Sequence, residues 1–267
     1  MAPPRRRARK GGGAAVAGVA MIAAVLLALA GGAHVRFVLI DDTPVDAATL
    51  CPVTGPKAHL AILIDTTDPV TPAQLAAART LIEREIEGAA EDTLISLARV
   101  SPDAVTRGDV RGGVCKPREG AAASQFYENP GLVARIYDER FRRPLDADLD
   151  AMLSGGEEPN SPIMESIQLL VAGASGFLTF DGPRKIVVFS DLLQHSDAMS
   201  FYRRMGWREF EMAGGTARLS RNLAGVEVLL LRVPRSQASA AQIDDFWARY
   251  FDVQGAGPIR VQTLGEF

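Results

Sequence analysis

Only two cysteines occur among the 267 residues, Cys51 and Cys115, and their spacing offers no zinc site. Signatures of common chemistry are absent as well: no Gly-x-Ser-x-Gly elbow, no phosphate loop, no His-Glu-x-x-His. Ala172-Gly173-Ala174-Ser175-Gly176 is no substitute for a phosphate loop, because a turn and Phe177 follow it instead of a helix start. Basic charge is scarce beyond the N-terminus. Five of the 29 basic residues and none of the 32 acidic ones lie in residues 1–33, which leaves 24 against 32, a net charge of −8. A nucleic-acid partner, which demands a basic face, is excluded on that ground, whereas a protein partner or a cation is not. No internal repeat is visible.

What is present begins with a segment of its own. Arg5, Arg6, Arg7, Arg9 and Lys10 precede an uncharged apolar stretch from Ala14 to Ala30, which Gly31-Gly32-Ala33 can extend towards the roughly 20 residues of a spanning helix. The basic head belongs in the cytoplasm, so the rest of the chain is expected outside it. The expectation is a single-pass anchor in an inner membrane with the C-terminal domain in the periplasm. The alternative is secretion after cleavage at Ala28-Leu29-Ala30. An oxidising compartment permits a disulfide between Cys51 and Cys115. The domain plan is therefore an anchor over 1–33, a linker over 34–56 that holds Asp41, Asp42, Pro44, Pro52, Gly55 and Pro56, and a folded domain over 57–267.

Within that domain, strands and helices alternate. Apolar runs predict strands near 59–64, 93–100, 185–190 and 226–233, with weaker ones at 110–115 and 259–261. Thr71-Pro72-Ala73-Gln74 reads as a helix start, with Thr71 as cap, Pro72 in first position and Gln74 completing a capping box; Gly88 closes that helix. Helical patterns follow over 132–153, interrupted at Pro144, from Ser161-Pro162 to about 174, over 198–223 and over 238–251. This order predicts an α/β fold: a doubly wound, mostly parallel, Rossmann-like sheet flanked by helices.

The polar residues that matter fall at strand ends. Asp65-Thr66-Thr67-Asp68 directly follows His59-Leu60-Ala61-Ile62-Leu63-Ile64, and Asp191 directly follows Lys185-Ile186-Val187-Val188-Phe189-Ser190. Open parallel sheets bind ligands at the carboxyl ends of their strands. Asp65, Thr67, Ser161 and Asp191 are the candidate ligands of a hard cation, Mg²⁺ or Mn²⁺, since carboxylate and hydroxyl oxygens suit such ions. Each residue also has a plain structural reading. The aspartates fit strand-end turns, Ser161 fits a helix cap before Pro162, and Thr71 is a cap. Trp247, with Phe246, Tyr250 and Phe251, reads as core. Phe201, Tyr202, Met205 and Trp207, interleaved with Arg203, Arg204 and Arg208, read either as a buried helix face or as interface anchors.

The arrangement resembles a von Willebrand factor A (VWA) domain with its metal-ion-dependent adhesion site, over roughly 57–265. That family reads Asp-x-Ser-x-Ser after strand one, a Thr or Ser in a later loop and an Asp after strand four. Here Asp65 and Thr67 take the first two places, Ser161 the loop place and Asp191 the last. Pro69 stands at the second Ser and brings no side-chain oxygen, so Asp68, Thr71 or water would have to compensate.

The resemblance implies an anchored protein-binding domain, not an enzyme, whose Mg²⁺ or Mn²⁺ takes a partner carboxylate. The alternatives are a metal-dependent hydrolase with His195 as base, or a structural domain that no longer binds metal.

Overall fold

The alternation of strand and helix builds a six-stranded sheet. The structure, a computed structural model, describes residues 12–34, 44–102, 113–120 and 129–265. The chain divides into two compact units, Met1–Pro44 and Val45–Phe267. The first holds helix α1, Gly12–His34. Its Val19, Met21, Ile22, Leu27 and Leu29 are exposed. Among the described residues no helix is long and apolar enough to cross a membrane. Residues 1–11 of the expected anchor segment lie outside the described residues.

In the second unit the elements run β1 (Ala58–Ile64), α2 (Pro72–Gly88), β2 (Thr93–Arg99), β3 (Val114–Cys115), α3 (Pro130–Leu153), α4 (Ile163–Gly173), β4 (Arg184–Ser190), α5 (Trp207–Met212), α6 (Gly215–Arg218), β5 (Val226–Arg232), α7 (Ala240–Asp252) and β6 (Ile259–Thr263). The strand order is β3-β2-β1-β4-β5-β6. All pairings are parallel except that of β3 with β2. The chain winds outward from β1 in one direction and returns to β4 to wind the other way, so the carboxyl ends of β1 and β4 flank the point where the order reverses.

Central strands buried on both faces need apolar residues at every position, which is why they read as unbroken runs. Ala61, Leu63, Ile186, Val188, Val228 and Leu230 pack on one face beneath α4 and α7. Leu60, Ile62, Ile64, Val187, Phe189 and Leu229 pack on the other beneath α2 and α3. The capping box at Thr71 forms: its side chain accepts from the Gln74 amide, and the Gln74 side chain accepts from the Thr71 amide. The aromatic group on α7 is core as expected, with Trp247, Tyr250 and Phe251 fully buried.

Two stretches differ from expectation. Pro144 does not break α3. The helix widens into a π turn over Tyr137–Arg142, with the Arg143 amide bonded to the Asp138 carbonyl, and resumes over Arg143–Leu153. The wider turn absorbs the missing donor and the ring of Pro144. The helix expected over 198–223 is instead a turn followed by the short α5 and α6. Gly206 and Gly214 stand immediately before these pieces, and Gly214 sits at φ 71°, a conformation that interrupts a helix.

Residues 45–56 belong to the second unit and not to a free linker. Cys51 and Cys115 are joined by a disulfide, and the Cys115 amide donates to the Thr49 carbonyl at 2.7 Å. The part of the expected third strand before residue 113 lies outside the described residues. Beside the disulfide, buried Lys116 donates to the Glu87 and Ala89 carbonyls at 2.6 and 3.0 Å, satisfying the carboxyl end of α2. The disulfide spans 64 residues of chain. Replacing both cysteines with alanine is expected to lower stability by about 2–4 kcal/mol, measured as a drop in the urea midpoint. An unchanged midpoint would show that the linkage constrains nothing the fold uses.

Candidate functional site

The register of the sheet puts the two strand-end aspartates side by side. Ile64 pairs with Phe189, and the Asp65 amide donates to the Phe189 carbonyl at 2.8 Å, which sets Asp65 level with Ser190 and next to Asp191. Both carboxylates are buried, at 4% and 5% exposure. They are built alike. Asp65 accepts through Oδ1 from the Thr67 amide at 3.1 Å and the Thr67 hydroxyl at 2.7 Å. Asp191 accepts through Oδ1 from the Leu193 amide at 2.9 Å. One oxygen of each thus closes the turn of its own loop, as strand-end aspartates commonly do. The second oxygen of each faces the shared space.

On Asp65, Oδ2 accepts from Ser190 Oγ at 2.6 Å and Ser161 Oγ at 3.2 Å. Ser161 is therefore not the cap of α4. Pro162 holds that position without a side-chain hydrogen bond, and the serine hydroxyl turns to the carboxylate. The loop bearing Ser161 is fixed there by a two-way backbone pairing with His195, at 2.9 and 2.8 Å. Gln194 adds a second tie, accepting from the Met164 amide at 2.8 Å.

On Asp191, Oδ2 accepts from Arg235 Nε at 3.0 Å, and Nη2 of the same guanidinium donates to the Pro69 carbonyl. Arg235 lies in the loop between β5 and α7. Its fork links that loop to the β1–α2 loop across the end of β4. The residue at the position where the family resemblance lacks a hydroxyl thus contributes a backbone oxygen, and an arginine of this chain uses it.

Backbone strain marks the same place. Leu192 adopts φ 64°, unfavourable for a residue with a branched side chain. The turn is held from both sides: the Leu192 amide donates to Ser190 Oγ at 2.8 Å, and Trp247 Nε1 donates to the Leu192 carbonyl at 2.9 Å. The opposite wall needs close approach. A Cβ on Gly155 would lie 2.5 Å from both Arg99 Nη1 and Thr66 Oγ1, and the Glu158 amide donates to the Thr67 carbonyl at 2.9 Å.

A cleft of about 320 Å³ opens beside the carboxylates, lined by Asp68, Glu158, Asn160, Ser161, His195 and Tyr202. Tyr202 is 44% exposed and donates to Asp68 Oδ2 at 3.0 Å. Its ring lies 5.2 Å from that of His195, whose Nδ1 is 2.9 Å from Ser200 Oγ. Of the aromatic group at 201–207, then, Phe201 is core and Tyr202 reaches the site.

The structure brings Asp65, Thr67, Ser161 and Asp191 together and adds Ser190, Tyr202 and Arg235. Ser190 was legible as the last residue of β4. Arg235 carried no signal beyond following β5, and its role depends on β5 lying beside β4. Oxygen donors of this kind are the chemistry a hard cation takes. As folded, however, Asp191 Oδ2 and the Pro69 carbonyl are already bonded to Arg235, so the arrangement does not fit a resident divalent ion in addition to that guanidinium.

Electrostatics follow from the geometry. Burial pushes the Asp65 carboxyl above its ordinary range, against the opposing pull of the hydroxyls of Ser190, Thr67 and Ser161. Burial raises Asp191 to about 7, and the neighbouring Asp65 charge adds to the rise. Burial and the hydrogen bond to Asp68 push the Tyr202 phenol up. A carboxyl raised in the folded state favours folding in its protonated form. For Asp191 that contribution is fully present below its ordinary value of 3.8 and is lost as pH climbs through about 7. The melting temperature is expected to fall between about pH 4 and about pH 7, and to fall less in Asp191→Asn. Equal slopes in the two proteins, measured by calorimetry, would refute the assignment.

Comparison with known proteins finds similar solved structures. The crystal structure of an aerotolerance-related membrane protein from Bacteroides fragilis, carrying multiple mutations to serines, is similar at 13% identity, covering 66% of this chain and 67% of that one, with a TM-score of 0.31. No family model and no curated protein matches the chain.

Proposed function

We propose that this chain is a membrane-anchored, extracytoplasmic domain of VWA type that binds another protein at the carboxyl edge of its sheet, and that it is not an enzyme. The observation that carries this reading is the convergence of two buried carboxylates, three hydroxyls and an arginine at the strand-order reversal, beside an open polar cleft. Proteins keep unfavourable buried charge where a site needs it. Tyr202 at the rim is the type of rigid, half-exposed aromatic that anchors interfaces.

The location rests on separate features. The basic head at Arg5–Lys10 and the apolar stretch Ala14–Ala30, with exposed apolar side chains along α1, support an anchor. The Cys51–Cys115 disulfide supports an oxidising compartment for the second unit. Binding is favoured over hydrolysis because the His195 ring spends Nδ1 on Ser200, a fully buried residue, and not on an exposed nucleophile.

A second reading of the same edge keeps a Mg²⁺ or Mn²⁺ on Asp65, Thr67, Ser161 and Asp191. The hard oxygen donors favour it, and the bonds of Arg235 stand against it.

The test is site-specific photocrosslinking in intact membranes. Probes at Tyr202 and Asn160, both on the cleft, are expected to give one discrete protein adduct. A probe at Glu227, on β5 at the other end of the sheet, is expected to give none. Adducts from all three positions, or from Glu227 alone, would move the partner away from this edge.

A further inference from the structure

We propose that Arg235 is the resident cation of the strand-end site: it neutralises Asp191 in place of a metal ion, and it takes an acidic side chain of the partner directly. The proposal deepens the binding function above and rests on it.

Three features of the geometry point to this role. First, Arg235 is bonded to Asp191, one of the four expected ion ligands, and to the backbone at the position of the missing hydroxyl. Nε is 3.0 Å from Asp191 Oδ2, a carboxylate with a 3% exposed side chain, and Nη2 holds the Pro69 carbonyl. Second, it is the guanidinium that reaches Asp191. Among the described residues, Arg99 lies on the far wall, where its Nη2 faces Glu158 at 4.0 Å, and Arg232 is committed to Asp244 and Thr263 Oγ1. Third, the fork is only partly spent. Its side chain is 20% exposed, and its hydrogen bonds among the described residues run through Nε and Nη2, not Nη1. A guanidinium binds carboxylates through paired N–H groups, so the free edge of Arg235 fits an Asp or Glu carboxylate. Proline at position 69 then fits the site. It offers a carbonyl acceptor to Nη2 and places no hydroxyl where the guanidinium lies.

The consequence is a site that binds acidic protein surface without added metal and presents a directional charge instead of an ion with exchangeable ligands.

The experiment uses the full chain in detergent and Mn²⁺ alone as probe, followed by electron paramagnetic resonance and by melting temperature. Wild type is expected to bind no Mn²⁺ at the site and to show no Mn²⁺-dependent shift. Arg235→Gln leaves Asp191 without its counter-charge, so its melting temperature is expected to fall by roughly 5–10 °C. Mn²⁺ is expected to bind this variant and recover most of the loss, and a further Asp191→Asn change is expected to abolish that recovery. Arg235→Lys keeps the charge without the fork, so it is expected to stay folded and to exclude Mn²⁺. Mn²⁺ binding to wild type as tight as to Arg235→Gln would overturn the proposal, as would an Arg235→Gln protein that Mn²⁺ neither binds nor stabilises.

The crosslink from Tyr202 supplies a separate arm. It is expected to survive chelator in wild type and to disappear in Arg235→Lys, whose ammonium cannot make the paired contact. Loss on chelation overturns the proposal. Absence of any adduct from the cleft in untreated wild type instead removes the binding function itself, which the Mn²⁺ measurements do not depend on.

Discussion

Two carboxylates buried side by side are the constraint to which the rest of this structure answers. The parallel register of β1 and β4 leaves no choice in the matter. Once Ile64 pairs with Phe189, Asp65 and Asp191 must end their strands next to each other, where both are buried. Like charges in such a place repel, and each also loses its hydration. The fold answers with hydrogen-bond donors that ask for no cation at Asp65, where three hydroxyls and the Thr67 amide close on the carboxylate, and with a guanidinium at Asp191. The two aspartates are thus built on one local pattern and neutralised by different means.

That solution requires loops from four places in the chain to stay in register, and the structure spends its polar contacts on this. The loop before α4 is stitched to the one after β4 through Ser161 and His195. The β1–α2 loop is held by Glu158 from one side and Arg235 from the other. Trp247 belongs to the core of α7, yet its indole N–H reaches out to fix the strained turn at Leu192. Packing and site are therefore not separable here. Loss of the Trp247 indole would remove a large buried ring and free the carbonyl that sets the direction of Asp191.

Much of the fold was legible because its signals are local. Unbroken apolar runs announced strands buried on both faces, and Thr71 through Gln74 announced the start of α2 with a full capping box. The stretch 198–223 misled because an apolar residue every three or four positions looks helical, while Gly206 and Gly214 break the backbone into pieces. Pro144 misled in the other direction, since a π turn upstream lets the helix continue through it. In the site, Asp65, Thr67, Ser161 and Asp191 could be named because each sits at the end of a recognisable element. Ser161 stayed ambiguous for a physical reason: a serine before Pro162 suits a helix cap and a site hydroxyl equally well, and only the position of Asp65 in space selects between them. Arg235 was invisible because its meaning lies in the strand order. Nothing in Arg232-Val233-Pro234-Arg235 announces that β5 lies beside β4.

Arginine and a divalent ion solve the same charge problem with different consequences. An ion of the magnesium type brings two positive charges and near-octahedral geometry, and it keeps waters that a partner can displace. A guanidinium brings one positive charge in a rigid plane, tethered by its own chain. With Asp65 already satisfied by hydroxyls, the single positive charge of Arg235 faces Asp191. A second would be in excess unless another carboxylate arrived. Asp68 is the nearest candidate, but it is turned outward to the Tyr202 hydroxyl at the rim of the cleft. Arg235 therefore meets Asp191 from within the chain, and Pro69 is the residue that makes the guanidinium fit: an oxygen on its backbone and none on its side chain.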